Sequence, residues 1–146
     1  MKTRIAIQCE PFDAAAEIAG LSDGAGAVAT FTGFVRREGD LATLRLEHYP
    51  GMTEREIARH IGEAQARWPL LAATVVHRVG SLKPGEPIVF VGTAALHRRE
   101  AFAACEFLMD YLKTRAPFWK EETRAGVTRW VDAKATDDHA AARWKQ

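Results

Sequence analysis

The sequence predicts an α+β fold with a mixed or antiparallel sheet. Strand-like and helix-like segments interleave irregularly, unlike the regular alternation that builds a doubly wound parallel sheet. Two pairs of neighbouring segments, 26–35 with 41–49 and 74–79 with 88–91, are predicted β-hairpins, which also favours antiparallel pairing. At 146 residues, with 47% hydrophobic and 27% charged residues, the chain fits a single globular domain over 1–146.

Strand-like segments occur throughout the chain. In order, they are 4–8, 26–35, 41–49, 74–79, 88–91 and 130–134. In the third segment Leu44, Leu46 and His48 share one face at a period of two residues, as in a half-buried strand. His48 and His77 both fall in strands, where a place in the core or at an edge is expected for each. The turn before 88–91 reads Lys-Pro-Gly-Glu, and Pro-Gly is a strong turn signal.

The first long helix is predicted to begin at a capping box. Thr53 and Glu56 have the spacing at which each side chain bonds the other residue's backbone amide. Apolar residues then recur at helical spacing until Pro69 ends the helix. These apolar residues are Ile57, Ile61, Ala64 and Trp68. A shorter helix over 14–18 is predicted to be capped by Asp13.

The second long helix is predicted to start near Leu96 and to end near Thr114 or Arg115. Pro117 sets this end, because proline disfavours the helical conformation in the residue before it. The predicted inner stripe consists of Ala101, Phe102, Cys105, Leu108, Met109 and Leu112. The polar tail from Asp137 is expected either to form a helix or to be disordered.

Charge and composition argue against several classes of protein. The formal net charge of +1 provides no overall field that would attract nucleic acid or an anionic membrane. No apolar run approaches the roughly 20 residues that span a bilayer, and the start lacks a signal-peptide core, so a cytoplasmic location is expected. Cys9 and Cys105 have no metal-binding or CxxC spacing, and both are predicted to be structural. We expect neither a metal nor a cofactor.

Basic residues lie at the boundaries of the predicted elements. Arg36 ends a strand, His97 and Arg98 open the second long helix, and Lys113 and Lys120 lie on either side of the break that follows it. A helix N-terminus offers unpaired amides and partial positive charge, and the planar fork of an arginine suits a phosphate. The pattern therefore predicts an anion-binding pocket that both lysines face.

Four of these residues also have a simpler interpretation. His97 is a common type of polar residue at a helix start, and Arg98 fits a solvated face. Lys113 stabilises the helix dipole from the last turn. Lys120 precedes two glutamates, with which it would form a surface ion pair of little energetic value. From spacing alone, the sequence supports an α+β domain with a candidate anion site.

Three segments carry a more specific combination of motifs. They read ATFTGFVR at 29–36, LEHYPGMTEREI at 46–57 and, within 77–122, HRVGSLKPGEPIVFVG, HRREAF and FLMDYLKTRAPFWKEE. Together, over about residues 25–135, they resemble the large, catalytic subunit of molybdopterin synthase, the MoaE family. The fold of that family is an α/β hammerhead with an additional antiparallel β subdomain, which agrees with the α+β prediction.

The resemblance implies a sulfurtransferase of molybdenum cofactor biosynthesis. The family converts cyclic pyranopterin monophosphate to molybdopterin, a dithiolene, by adding two sulfur atoms. The sulfur arrives as a thiocarboxylate on the C-terminal glycine of a small ubiquitin-like subunit, whose tail enters a pocket of the large subunit. The large subunit dimerises and each end binds one small subunit, so a homodimer within a heterotetramer is implied.

The resemblance also implies site residues. The family's active-site lysines fall on Lys113 and Lys120, and its substrate-anion residues fall on Arg36, His97 and Arg98. The full predicted substrate-binding set is Arg36, His97, Arg98, Lys113, Lys120, Glu121, Glu122 and Lys134.

Two positions depart from the family pattern. Glu121 stands where a second basic residue is frequent, which weakens the local positive field. Lys134 matches a residue that is contributed across the dimer interface and is expected to be arginine, and lysine lacks the bidentate fork.

A mechanism follows as a hypothesis. Neighbouring cations disfavour a protonated Lys120, which would then act as a base or a transient nucleophile. Lys113 would stabilise negative charge on the thiocarboxylate carbonyl or an enolate, and the reverse assignment of the two lysines stays open. His97 as an acid is a secondary option. The alternative functions are a non-catalytic, anion-binding adaptor for a ubiquitin-like tail, and a phosphate-handling enzyme that needs no partner.

Overall fold

The computed structural model describes residues 1–131 and 135–145. The strands are β1 (Lys2–Gln8), β2 (Ala27–Phe34), β3 (Leu41–His48), β4 (Leu70–Arg78), β5 (Gly80–Leu82), β6 (Pro87–Ala95), β7 (Phe118–Arg124) and β8 (Val127–Val131). The helices are α1 (Ala14–Leu21), α2 (Met52–Arg67), α3 (Arg98–Thr114) and α4 (Ala135–Ala142), and a 3₁₀ turn follows at Arg143–Lys145. Within the described ranges, no helix is long and apolar enough to cross a membrane.

The strands form two separate sheets. The first, which we call the mixed sheet, has the order β1-β4-β6-β2, with β1 parallel to β4 and the other pairs antiparallel. The second, the antiparallel sheet, has the order β5-β3-β7-β8. The α+β prediction is confirmed, and the additional antiparallel β subdomain is the second sheet.

One of the two predicted hairpins is wrong. The segments 26–35 and 41–49 become β2 and β3, which belong to different sheets: β2 pairs with β6, and β3 pairs with β5 and β7. The reason is the burial of β6, which is nearly complete along its length and therefore requires a partner strand on each side. The second predicted pairing, between 74–79 and 88–91, is confirmed as antiparallel β4 and β6.

The main core lies between the mixed sheet and helices α2 and α3. Ile57, Ile61 and Ala64 of α2 are buried as predicted. The predicted stripe of α3 is partly wrong, because Phe102 is 65% exposed whereas Phe107 is buried. Successive helix residues are about 100° apart, so burial of Ala101, Ala104 and Leu108 turns Phe102 outward and brings Phe107 inward.

Helix α1 covers the opposite face of the mixed sheet. Leu21 packs there against Val76 and Phe90 in a second, smaller core. Gly92 permits this approach, since a Cβ atom at that position would lie 2.3 Å from Cδ1 of Leu21. Asp13 caps α1 as predicted, and its carboxylate accepts a hydrogen bond from the amide of Ala16 over 3.2 Å.

Helix α2 starts differently from the prediction. Gly51, at a φ of 85°, is the N-cap, and the carboxylate of Glu54 accepts the Gly51 amide hydrogen bond over 3.0 Å. The proposed exchange between Thr53 and Glu56 does not occur. Thr53 is instead fully buried, and its hydroxyl accepts a hydrogen bond from the amide of Tyr49 over 2.9 Å. Glycine tolerates this positive φ, so Gly51 can serve as the N-cap. The helix therefore begins two residues earlier than it would with Thr53 as the N-cap.

The C-terminal part contains one strand that was not predicted. Helix α3 ends at Thr114, as expected, but the chain then forms β7, which carries Lys120. The predicted strand over 130–134 is confirmed for its first two residues in β8, and 132–134 lie outside the described residues. The tail is helical rather than disordered, and the indole of Trp144 donates a hydrogen bond to Asp110 of α3 over 2.6 Å.

Candidate active site

A cavity of about 110 Å³ lies where the end of α3 meets β7 and the start of β6. Its lining combines two ammonium groups and an imidazole with apolar side chains. The lining residues are His77, Ile88, Val89, Met109, Leu112, Lys113, Thr114, Ala116, Phe118, Lys120 and Val131. Such a mixed wall suits a ligand that carries negative charge at one end and an apolar or backbone portion behind it.

Lys113 and Lys120 both line this cavity. Lys113 lies in the last turn of α3, which closes with a hydrogen bond from the amide of Arg115 to the carbonyl of Tyr111 over 2.9 Å. The chain turns through Pro117 into β7, which returns along the antiparallel sheet. The break in the helix therefore places the second lysine beside the first, as the sequence predicted.

Strand alternation decides which residues after Pro117 face the cavity. Phe118 and Lys120 lie two residues apart on β7 and therefore share a face, and both line the cavity. Glu121 points to the opposite face, where its carboxylate forms an ion pair with Arg45. The glutamate that follows Lys120 is thus turned away from the cavity and is neutralised by its own partner.

His77 was expected in the core or at a strand edge; it is buried, and it also lines the cavity. Its ring stacks on Phe118 with the centroids 3.9 Å apart and the planes 18° apart. Burial lowers the pKa of His77 to about 4; the contact with the Arg78 carbonyl opposes this, and the positive charges of Lys120 and Lys113 add to it. The imidazole is therefore neutral at physiological pH.

The sequence indicated His77 only weakly. The sequence signal for His77 is an imidazole that follows two valines in a predicted strand. Its contact with Phe118 depends on how the two sheets pack. Met109 was assigned to the core, and it both belongs there and reaches the cavity wall.

The three residues predicted to bind the substrate anion do not line this cavity; they are Arg36, His97 and Arg98. Arg36 is exposed just beyond β2 and pairs with Glu38. It lies at the same end of the mixed sheet as the cavity, because Phe34 pairs with Pro87 at the start of β6. His97 and Arg98 are exposed at the other end of β6, where α3 begins.

The length of α3 separates His97 and Arg98 from the lysines. This helix runs over 17 residues from Arg98 to Thr114. At a rise of 1.5 Å per residue, its two ends are about 24 Å apart. Within one chain, the structure therefore does not bring the start of α3 to the cavity at its end.

Two further predicted residues lie apart from the cavity or outside the described part of the chain. Glu122 pairs with Arg124 over 2.7 Å and lines a second cavity of about 520 Å³ beside the β7–β8 hairpin. Lys134 lies outside the described residues. Over 1–131 and 135–145, no group of three or more His, Cys, Asp or Glu side chains is placed to hold a metal ion.

Comparison with known proteins decides the family. The model of the MoaE protein family matches residues 7–115. The chain belongs to the MoaE family. A relative from Cereibacter sphaeroides, named molybdopterin synthase catalytic subunit, is 57% identical over 145 residues, which cover 97% of this chain and 99% of the relative.

Solved structures of the MoaE family and its relatives have the same fold. A MoaE protein of molybdopterin biosynthesis from Burkholderia ambifaria superimposes with a TM-score of 0.85 at 52% identity, and the match covers 99% of this chain and 98% of that one. A molybdopterin synthase from Staphylococcus aureus superimposes with a TM-score of 0.80 at 29% identity, over 88% of this chain and 96% of that one.

Proposed function

We propose that this chain is the catalytic subunit of a molybdopterin synthase. It converts cyclic pyranopterin monophosphate to molybdopterin with sulfur from the thiocarboxylated C-terminus of a small ubiquitin-like partner. The observation that carries the proposal is the shared cavity of Lys113 and Lys120 in a chain of the MoaE family. The name of the relatives, a catalytic subunit, supports an enzyme that contains a second kind of subunit.

The cavity has the properties that a thiocarboxylate tail requires. Lys113 provides positive charge, and both lysine amino groups provide hydrogen-bond donors, for the sulfur- and oxygen-bearing terminus. Met109, Leu112 and Val131 provide an apolar wall for the backbone behind it. A terminal glycine has no side chain, so the limited volume of about 110 Å³ favours it over bulkier residues.

The two lysines are assigned different roles. Lys113, exposed at the end of α3, stabilises negative charge that develops on the thiocarboxylate carbonyl or on the substrate. Lys120, half-buried on β7, acts as a base or transient nucleophile. Glu121 holds Arg45 on the other face of β7, so it acts on the site through that strand rather than by touching ligand.

The substrate phosphate is proposed to be held by groups from two copies of the chain. Arg36 lies at the cavity end of the mixed sheet, whereas His97 and Arg98 lie about 24 Å away along α3. A homodimer that places the α3 start of one copy beside the α3 end of the other removes this separation. Glu122 and Lys134 are proposed to complete the substrate-binding set, with Lys134 acting across the same interface.

A cytoplasmic reaction is consistent with the two free cysteines. Cys9 and Cys105 form no disulfide in the structure, which agrees with a reducing compartment.

Reconstitution with the partner tests the proposed function. The purified chain is incubated with the cyclic precursor and the small partner, either as thiocarboxylate or as ordinary carboxylate, and dithiolene product is measured. We expect product with the thiocarboxylate only. Binding of both components without product would instead establish the adaptor function, and turnover of the precursor without partner would establish a phosphate-handling enzyme.

A further inference from the structure

His77 holds one definite tautomer. Its Nδ1 lies 2.8 Å from the carbonyl oxygen of Arg78. A carbonyl oxygen only accepts hydrogen bonds, so Nδ1 carries the proton and donates it. The ring is neutral, as its depressed pKa indicates, and Nε2 therefore bears a lone pair.

The surroundings of this ring place basic groups on its cavity side. Its neighbours within the mixed sheet are apolar, Ile7 on β1 and Val89 on β6. The titratable groups that act on it come from other elements: Lys120 of β7 first, then Lys113 of α3 and His48 of β3. The neighbouring Arg78 is engaged elsewhere, where its guanidinium donates to the carbonyls of Cys9 and Pro87.

Lys120 lies on the same face of β7 as the aromatic ring on which His77 stacks. His77 stacks on Phe118, and Lys120 is the next residue on the same face of β7. On β3, Leu46 pairs with Lys120 and is fully buried, so an apolar residue flanks the lysine on that strand. A neutral imidazole is a suitable neighbour for an amine, because it accepts a hydrogen bond without adding positive charge.

We propose that His77 is a positioning residue for the sulfur-transfer reaction, in which Nε2 accepts a hydrogen bond from the amino group of Lys120 and aims that group at the ligand. The role rests on the function proposed above. It differs from that of a proton carrier, because a ring whose pKa lies at about 4 is too weak a base to take a proton from an amine. His77 acts by fixing the direction of the lysine.

Two substitutions of His77 distinguish the role of Nδ1 from the role of Nε2. The amide of His77→Asn reaches the position of Nδ1 and keeps a donor for the Arg78 carbonyl, but it has no group at the position of Nε2. The amide of His77→Gln reaches the position of Nε2 and restores an acceptor there. We expect His77→Asn to lower kcat by about tenfold with little change in KM, as for loss of one hydrogen bond between neutral groups. His77→Gln is expected to recover most of that loss.

A measurement without turnover tests the contact itself. In ¹⁵N-histidine-labelled protein, the Nε2 resonance of His77 is recorded for the wild type, Lys120→Met and Lys113→Met. Lys120→Met is expected to shift that resonance to the position of a free imidazole nitrogen, whereas Lys113→Met leaves it in place. Thermal melting of each variant confirms that it is folded.

The kinetic and resonance measurements distinguish a failure of the positioning role from a failure of the proposed function. An Nε2 resonance that Lys120→Met does not move, or equal kcat losses in His77→Asn and His77→Gln, would overturn the positioning role. A wild-type chain that yields no dithiolene product with thiocarboxylated partner would overturn the proposed function, and the resonance measurement would still decide whether the contact exists.

Discussion

The hydroxyl of Thr53 donates a hydrogen bond to the carbonyl oxygen of Pro117 over 3.1 Å. It also accepts one from the amide of Tyr49, so a single buried side chain joins the start of α2 to the bend between α3 and β7. That bend determines how Lys120 returns toward Lys113. The start of α2 is thus a support of the cavity, although it contributes no lining residue.

Thr53→Val tests this support. Valine has nearly the same shape as threonine but leaves the Tyr49 amide and the Pro117 carbonyl without their partner, which is expected to cost about 1–3 kcal/mol in the free energy of unfolding. Thr53→Ser is the matched control because it keeps the hydroxyl. Urea unfolding at constant pH measures both variants. Equal stability of Thr53→Val and the wild type would show that the bond contributes nothing.

Burial of His77 predicts a pH dependence of stability. Its pKa falls from 6.5 to about 4 on folding, so the unfolded chain binds a proton between these values that the native chain does not. The stability contributed by the neutral ring is therefore complete above about pH 6.5 and decreases as the pH falls toward 4, by about 1.4 kcal/mol per pH unit.

Urea unfolding between pH 4.5 and 7.5, for the wild type and His77→Gln, measures this contribution. Carboxylates contribute equally to both stability curves, so the difference between the two curves isolates the contribution of His77. We expect the wild type to lose stability more steeply than the variant as the pH falls. Parallel curves would show that His77 titrates in the native state as it does in the unfolded chain.

The two cysteines are expected to differ in reactivity. Burial raises the pKa of Cys105 to about 11, and its thiol lies 3.9 Å from the carbonyl oxygen of Val91, whereas Cys9 is exposed. Because the thiolate is the reactive form, iodoacetamide at pH 8 should label Cys9 and leave Cys105 unmodified until the protein unfolds. Mass spectrometry of native and urea-treated samples measures this. Comparable labelling rates at both positions in the native protein would contradict the predicted burial.

Local sequence signals predicted most elements of the fold but not their pairing. The caps and breaks at Asp13, Pro69 and Pro117 act over a few residues, and the helix boundaries they imply agree with the structure. The separation of β2 from β3 depends on which strand fits beside β6, a long-range choice that no hairpin signal reports. The start of α2 was misplaced because Gly51 provides a positive φ that the Thr53 pattern does not indicate.

In the candidate site, too, local sequence signals predicted some features, whereas features that depend on long-range packing were missed. The juxtaposition of Lys113 and Lys120 followed from the break at Pro117, a local feature. The predicted helix length already implies that Arg98 and Lys113 lie far apart. The prediction of one common pocket did not take this separation into account. The place of His77 against Phe118 depends on the packing of the mixed sheet on the antiparallel sheet, which sequence periodicity alone does not determine.

We infer that Lys113 and Lys120 act on one ligand in one cavity, and single-turnover sulfur transfer in a double-mutant cycle is the direct test. The rates of Lys113→Ala, Lys120→Ala and the double variant are measured with thiocarboxylated partner, and Lys83→Ala, at an exposed turn, is the control. We expect each single variant to lose about a hundredfold or more and the double variant to lose little beyond the worse single one, because groups that act as a unit are strongly non-additive. A wild-type rate in either single variant, or a double-variant loss equal to the product of the two single losses, would contradict the claim.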